Sequence, residues 1–421
     1  MKKLDAYKLY LVFEAATSLF FALAFTFNLV YQTTVANLSP LQLVLVGTVL
    51  ESSIFLFEIP TGIIADVYSR RLSVIIGVFL VGAGIFLEGS IPLFGTILAA
   101  QVLWGVGYTF TSGATQAWIS DEIGEQAAGQ AFLQGSQAGR VGGLLGIAAS
   151  MALANVRVNL PIQVSGILFT FLGVFLILTM PEHGFNPTPT EARNSWQNMT
   201  STFRGGLNMI RLRPALLSIL GIGLFYGLYS EGIDRLWVKQ FLDHFTLPGL
   251  GAFKSLEWFG LINAAGMVLG LVATEAVRRR LDTNSHGAIA SSLLGITTIL
   301  VASIFGFALA SRFSVALAAI LLIDVARSVI GPIYTAWVNQ RLDSRVRATV
   351  LSMSSQVDAI GQIAGGPLLG AIGNIFSVRA AIASAGLVLS PVLLLLARTQ
   401  RRTYDLPAEI SPAAANLSDE V

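Results

Sequence analysis

The chain has 421 residues, 54% of them hydrophobic and only 12% charged, about half the charged share of an ordinary soluble domain. With a net charge of +2 and no cysteine, this composition excludes a cytosolic enzyme, a disordered chain, a disulfide scaffold, a thiolate metal site and a polybasic nucleic-acid surface. A mean hydropathy of +0.71 points instead to an integral membrane protein.

The apolar runs predict an all-α chain of twelve transmembrane helices, because lipid offers backbone groups no outside partner. The runs lack the period-two alternation of a membrane barrel strand. The first, over 7–33, follows Lys2 and Lys3. It is too long for a signal peptide and carries Glu14, so it reads as a retained helix with Phe25 and Asn28 further along. The second, 41–64, holds Glu51 near its midpoint and Glu58 just before Pro60. The third is 72–91, and the fourth, 93–120, carries Trp104, Tyr108, Gln116 and Trp118, with Asp121 at its end. The fifth, 126–153, repeats small residues at Gly135, Gly139 and Gly143 and at Gly142 and Gly146, and places Arg140 near mid-membrane. Such spacing permits close helix approach, as static packing or as a hinge. The sixth is 158–180.

A polar stretch with Pro181, Pro187 and Pro189 then spans 181–213. The seventh run, 214–242, carries Tyr226, Tyr229, Glu231, Asp234 and Arg235. The eighth and ninth are 254–277 and 287–309. The tenth, 313–340, has Asp324, Arg327 and Tyr334. The eleventh, 346–375, has Asp358, Gly361, Gly365, Gly366 and Gly370, and the twelfth is 377–398. The predicted organisation is therefore a bundle over 1–180, a central loop over 181–213, a second bundle over 214–398 and a polar tail over 399–421.

Of the 26 Lys and Arg residues, eighteen fall in segments on the side of the N-terminus and five on the other. The positive-inside rule then places both termini in the cytoplasm of a cell whose inner (plasma) membrane holds the protein.

Charges within the spans are costly and therefore functional candidates. Seven acids (Glu14, Glu51, Glu58, Glu231, Asp234, Asp324 and Asp358) face three bases (Arg140, Arg235 and Arg327). The excess of acids suits binding of protons or cations. By depth and spacing, Glu51 is expected to pair with Arg140. Asp324, Arg327 and Asp358 are expected to cluster, and Asp234 with Arg235 to form an outer-gate pair. Each group reads either as a titrating site or as a structural ion pair. Trp118 and Trp337 read as interfacial anchors.

The two halves repeat. Gly62-Ile-Ile-Ala-Asp66-Val-Tyr-Ser-Arg70-Arg71 aligns with Gly270-Leu-Val-Ala-Thr-Glu275-Ala-Val-Arg278-Arg279, and Ala117-Trp118 with Ala336-Trp337. The first of these segments resembles the loop signature between the second and third helices of the major facilitator superfamily. Gly62, Ala65, Asp66, Arg70 and Arg71 match it, while Val67 and Ser69 replace an expected Arg and Gly. Among branches the chain most resembles the bacterial drug-efflux members, whose antiporters carry a G-P-x-x-G-G run in the fifth helix. Here Gly139-Arg140-Val141-Gly142-Gly143 has Arg in place of Pro and is one residue shorter.

The resemblance implies two pseudo-symmetric six-helix bundles acting by alternating access, usually as a monomer. It implies that Asp66, with Gly62, Arg70 and Arg71, docks on the eleventh helix as a gate, with Asp121 accepting from Arg70. It also implies that the first, fourth, seventh and tenth helices line the cavity. That would bring Glu14, Glu231, Asp324, Phe25, Tyr226 and Tyr229 to the substrate, with Asn28 and Gln116 as orienting amides.

No phosphate loop occurs, so a proton gradient rather than ATP is the expected drive, with no cofactor. The three histidines, His183, His244 and His286, form no metal set. The expected partners are a small-molecule substrate, protons and the bilayer, with no nucleic acid. The favoured reading is a non-enzymatic, proton-coupled exporter of amphipathic or cationic compounds. Proton-coupled uptake of a metabolite, sugar or lipid-like solute is the alternative, and a membrane sensor or enzyme on the same scaffold is the third reading.

Overall fold

The computed structural model describes residues 4–187, 214–249, 255–281, 285–340 and 344–404. Most of the expected central loop, and the tail beyond Tyr404, lie outside the described residues.

The first half contains α1 (Ala6–Thr34), α2 (Pro40–Val67), α3 (Arg70–Ser90), α4 (Phe94–Thr111), α5 (Ala114–Ile123), α6 (Glu125–Ala154) and α7 (Leu160–Thr179). The second contains α8 (Pro214–His244), α9 (Trp258–Arg280), α10 (His286–Leu309), α11 (Phe313–Gln340), α12 (Ser344–Ile375), α13 (Val378–Leu389) and α14 (Pro391–Tyr404). No strand occurs among the described residues. Seven single helices and the α13–α14 run are long and apolar enough to cross a membrane. The other crossings are α6, α8 and α12, diluted by glycine, serine or charge, and the shorter α4.

Two expected spans are broken. The fourth divides into α4 and α5 at Ser112-Gly113, where Gly113 adopts φ +74. Gly124, at φ +84, closes α5 and lets the chain re-enter as α6. Both values lie in the left-handed region where a side chain is strained. The twelfth span divides into α13 and α14 at Ser390, because Pro391 has no N–H to continue the ladder. α14 runs on to Tyr404, past the expected end at 398.

The helix pairings repeat between halves. α1 packs along α6 as α8 packs along α12, α3 on α4 as α10 on α11, and α2 on α4 as α9 on α11. The glycines make these approaches possible. A Cβ on Gly142 would meet the Ala15 carbonyl and one on Gly146 the Leu19 carbonyl, both on α1. Gly365 on α12 sits likewise against the Leu228 carbonyl of α8. Of the two glycine readings, close static packing describes these contacts.

The halves meet at the face opposite the start of α1. There Gly366, Gly370 and Gly373 of α12 lie on Pro40, Leu41, Val44 and Thr48 of α2. Gly143 and Met151 of α6 meet Met267 and Gly260 of α9. Toward the face where α1 begins, α2 and α12 diverge around a cavity of about 490 Å³ lined by Glu58, Gly62, Asp66, Ser352, Ser355 and Gln356. Between α2 and α12 the molecule is thus packed at one face and open at the other, the face where α1 begins.

Candidate functional site: an acid-rich cluster between two unlike cavities

α8, α11 and α12 enclose a cavity of about 390 Å³, lined by Tyr226, Tyr229, Ser230, Asp234, Arg327, Tyr334, Ser354, Ser355, Asp358 and Gln362. Its wall combines hydroxyls with a partly buried ion pair. Both guanidinium nitrogens of Arg327 donate to Asp234, Nη2 to Oδ2 at 2.8 Å. This fork geometry is the strong form of the interaction. The same guanidinium lies 5.9 Å from the Tyr229 ring centroid. Tyr226 packs edge-on to Tyr334 at 6.1 Å and shares a 3.0 Å hydrogen bond with Thr297.

One turn along α8, Arg235 donates to Glu231 at 3.2 Å. Glu231 is 3% exposed and bears on the other half of the molecule, because Gly47 of α2 has no side chain in its way. A Cβ there would collide with the Glu231 carboxylate and come within 2.5 Å of Arg235 Nε. Glu51, one turn inward on α2, is in electrostatic reach of Glu231, Arg235, Asp358 and Asp234. Asp358 accepts from Gln362 at 2.7 Å. Four acids therefore converge with two arginines where α2, α8, α11 and α12 meet. Among the described residues the arginines bond Glu231 and Asp234, which leaves Glu51 and Asp358 without a salt bridge.

Several expected pairings are corrected. Glu51 does not pair with Arg140, which is exposed on α6. Asp234 and Arg235 do not pair with each other. Consecutive residues on a helix point about 100° apart, so each finds a partner elsewhere. Asp324 does not bond Arg327, although both line a separate cavity of about 300 Å³ with Asn263, Gly266, Met267 and Ser328. Asp358 joins the Arg327 cavity without bonding the arginine. Trp118 and Trp337 are 2% and 1% exposed, so both are bundle core rather than interfacial anchors. Trp118 donates to the Pro181 carbonyl at 2.8 Å.

The first half presents a different surface. Glu14, beside Tyr10, lines a cavity of about 160 Å³ with Phe13, Phe21, Tyr108, Gln116 and Phe169. Phe25 stacks on Phe21 at 5.8 Å and tilts against Trp104 at 5.4 Å. Asn28 is not at this cavity. It faces Glu88 on α3, a fully buried acid absent from the sequence-based candidates.

At the face where α1 begins, Arg70 bonds Asp121. Its other acidic neighbour, Asp66, is 3.8 Å away, 57% exposed and turned to the open cavity between α2 and α12. The docking of Asp66 on the eleventh span falls at an end of α12 whose side chains lie outside the described residues. Ser69, in place of the signature's glycine, caps α3 through Leu72 N at 2.9 Å and donates to Glu182 at 2.7 Å. Arg71 donates its backbone N–H to the same carboxylate at 2.9 Å, and its guanidinium to the Ile177 carbonyl at 2.7 Å. In the repeat, Glu275 bonds Arg278 at 2.7 Å and Arg279 at 2.6 Å.

Comparison with known proteins agrees with this architecture. The family model described as Major Facilitator Superfamily matches residues 13–357. A Bacillus subtilis (strain 168) protein named "Uncharacterized MFS-type transporter YxaM" is 24% identical over 381 residues, covering 88% of this chain and 90% of the relative. The structure of a point mutant of the nucleoside transporter NupG superposes with a TM-score of 0.74 at 13% identity, covering 94% of this chain and 99% of that one. A bacterial homologue of the human lysosomal transporter Spinster, solved inward-facing and unoccupied, gives 0.71 at 14% identity, covering 95% and 99%.

Proposed function

The chain belongs to the major facilitator superfamily and is a multi-pass secondary transporter; from that premise we propose that it exports amphipathic, cationic small molecules in exchange for protons across the plasma membrane, with both termini cytoplasmic. The observation that carries this reading is the surplus of acid at the junction of the halves. A charge removed from water without a partner costs several kcal/mol. Glu51 and Asp358 are partly buried and have no salt bridge among the described residues, so a proton or a positively charged solute would lower that cost.

The cavity geometry supports the amphipathic part. A cationic head entering from the open inner face meets Asp358 and the rings of Tyr226, Tyr229 and Tyr334, which attract cations through their faces. An apolar body meets the Phe21, Phe25 and Trp104 wall of the first half. Protons arriving from outside neutralise the acids and lower the affinity for the cation there. Binding thereby favours one access state over the other. Uptake of a neutral solute is the second reading, favoured by Ser230, Ser354, Ser355 and Gln362, a hydrogen-bonding lining around the same cavity.

Purified protein in liposomes with an imposed pH gradient tests the proposal. Lipophilic cations should evoke proton movement in the wild type and not in Asp358→Asn or Glu51→Gln. Silence toward cations together with proton movement evoked by a neutral metabolite would reject export and establish uptake.

A further inference from the structure

Glu88 is 0% exposed near the outer end of α3, enclosed by α1 and α4. Its carboxylate accepts from Gln32 Nε2 at 2.6 Å and from Gln101 Nε2 at 2.9 Å. Asn28, 4% exposed, faces the same carboxylate. The Tyr31 hydroxyl donates to the Glu88 backbone carbonyl at 2.8 Å. Among the described residues no lysine, arginine or histidine forms a salt bridge with it; Arg235, across the junction, acts on it only through space. Neutral amides solvate a carboxylate but leave its charge in place.

A second defect lies beside the first. Asn28 Oδ1 and Gln32 Oε1 are both buried and accept no hydrogen bond. Gln32 is itself 0% exposed. A buried acceptor left unpaired costs about 1–3 kcal/mol, and two lie within one side-chain shell of an uncompensated negative charge. An amide turned over presents its oxygen where its nitrogen was, so the group can serve an anion or a cation.

We propose that Glu88, Asn28 and Gln32 form a binding site for one sodium ion. Oxygen donors of this kind, a carboxylate and two carboxamides, suit a hard cation. The single negative charge suits a monovalent one. Sodium neutralises Glu88 and occupies both orphaned oxygens, whereas a proton on Glu88 corrects the charge and at most one oxygen. The site also has a route to the cavity. Gln101, which binds Glu88 through its nitrogen, accepts from Trp104 Nε1 at 2.9 Å through its oxygen. Trp104 in turn packs on Phe25 and Tyr108. Sodium occupancy is therefore felt at the aromatic wall.

Full-length protein in nanodiscs, without substrate or pH gradient, tests this independently of the transport reading. Radiolabelled sodium should bind saturably at alkaline pH, outcompeting potassium. Glu88→Gln should abolish the binding, and Asn28→Leu should weaken it about tenfold or more, the scale of loss on removing a supporting group at a metal site. Sodium should also raise the Tm of the wild type at fixed ionic strength, which needs no variant to fold. Binding undiminished in Glu88→Gln would overturn the proposal. So would the absence of saturable sodium binding, or a Tm that responds to acid and not to sodium, which would make Glu88 a proton site.

Discussion

The two halves share one helix arrangement, and among the described residues only the second brings arginines to acids within the bundle, while its Asp358 still rests on the neutral Gln362. In the first half Glu14 leans on Tyr10, and Glu88 on Gln32, Gln101 and Asn28, all of them neutral. In the second half Glu231 and Asp234 are held by Arg235 and Arg327. Both cavities carry an acid and hydroxyl groups; that of the first half adds Phe13, Phe21 and Phe169, and that of the second adds three tyrosines and the Arg327–Asp234 pair. Duplication thus fixed the scaffold, and the chemistry diverged on it. The first half supplies the Phe21, Phe25 and Trp104 wall together with Glu51, and the second supplies Asp358 and both arginines of the junction.

Substitutions should separate the halves, most strongly at the ion pairs. Glu231→Gln takes its salt bridge from Arg235, whose side chain is only 16% exposed, and should cost about 3–5 kcal/mol, read as a large fall in Tm and loss of transport. Glu14→Gln keeps an acceptor for the Tyr10 phenol and removes only its charge, and should cost about 0.5–1.5 kcal/mol. Equal losses from the two variants would erase the contrast between the halves.

The next effect concerns closure at the outer face. Gly47→Val places atoms where the Glu231 carboxylate sits. The chain has no cysteine, so a Leu41→Cys/Gly370→Cys pair reports this contact cleanly. A Cβ on Gly370 would lie 3.1 Å from Leu41 Cα. Cross-linking of that pair should fall about tenfold on adding Gly47→Val, equivalent to about 1.4 kcal/mol against closure. Unchanged cross-linking would show that Glu231 does not hold the outer face shut. The smallest effect is expected from Tyr226→Phe, which removes the 3.0 Å bond to Thr297. Cation affinity, measured by calorimetry, should weaken by about 1 kcal/mol.

Much of this arrangement was legible in the sequence, because lipid permits few structures. Apolar runs located the crossings, and the Gly62–Arg71 signature located the inner loop with its Arg70–Asp121 contact. Pairings across the bundle were not legible. Arg327 and Asp234 are 93 residues apart, and helix spacing favoured Asp324, three residues from Arg327. Arg140 looked central by depth, but its side chain is exposed and forms no salt bridge among the described residues. Glu88 escaped notice because an acid two residues from a helix end reads as interfacial. Gln32 and Gln101, polar residues inside neighbouring apolar runs, were the signal that it is buried. The breaks at Ser112-Gly113 and Ser390-Pro391 were marked by the residues themselves, yet the continuous hydropathy around them hid the interruption.

The central claim is that acids at the junction exchange protons for a cationic solute. Purified protein in weakly buffered detergent solution, titrated with a lipophilic cation while pH is followed, tests it most directly. The account predicts proton release on binding in the wild type, abolished by Asp358→Asn and retained in Glu14→Gln. Cation binding with no proton release, or release lost in Glu14→Gln and kept in Asp358→Asn, would contradict it.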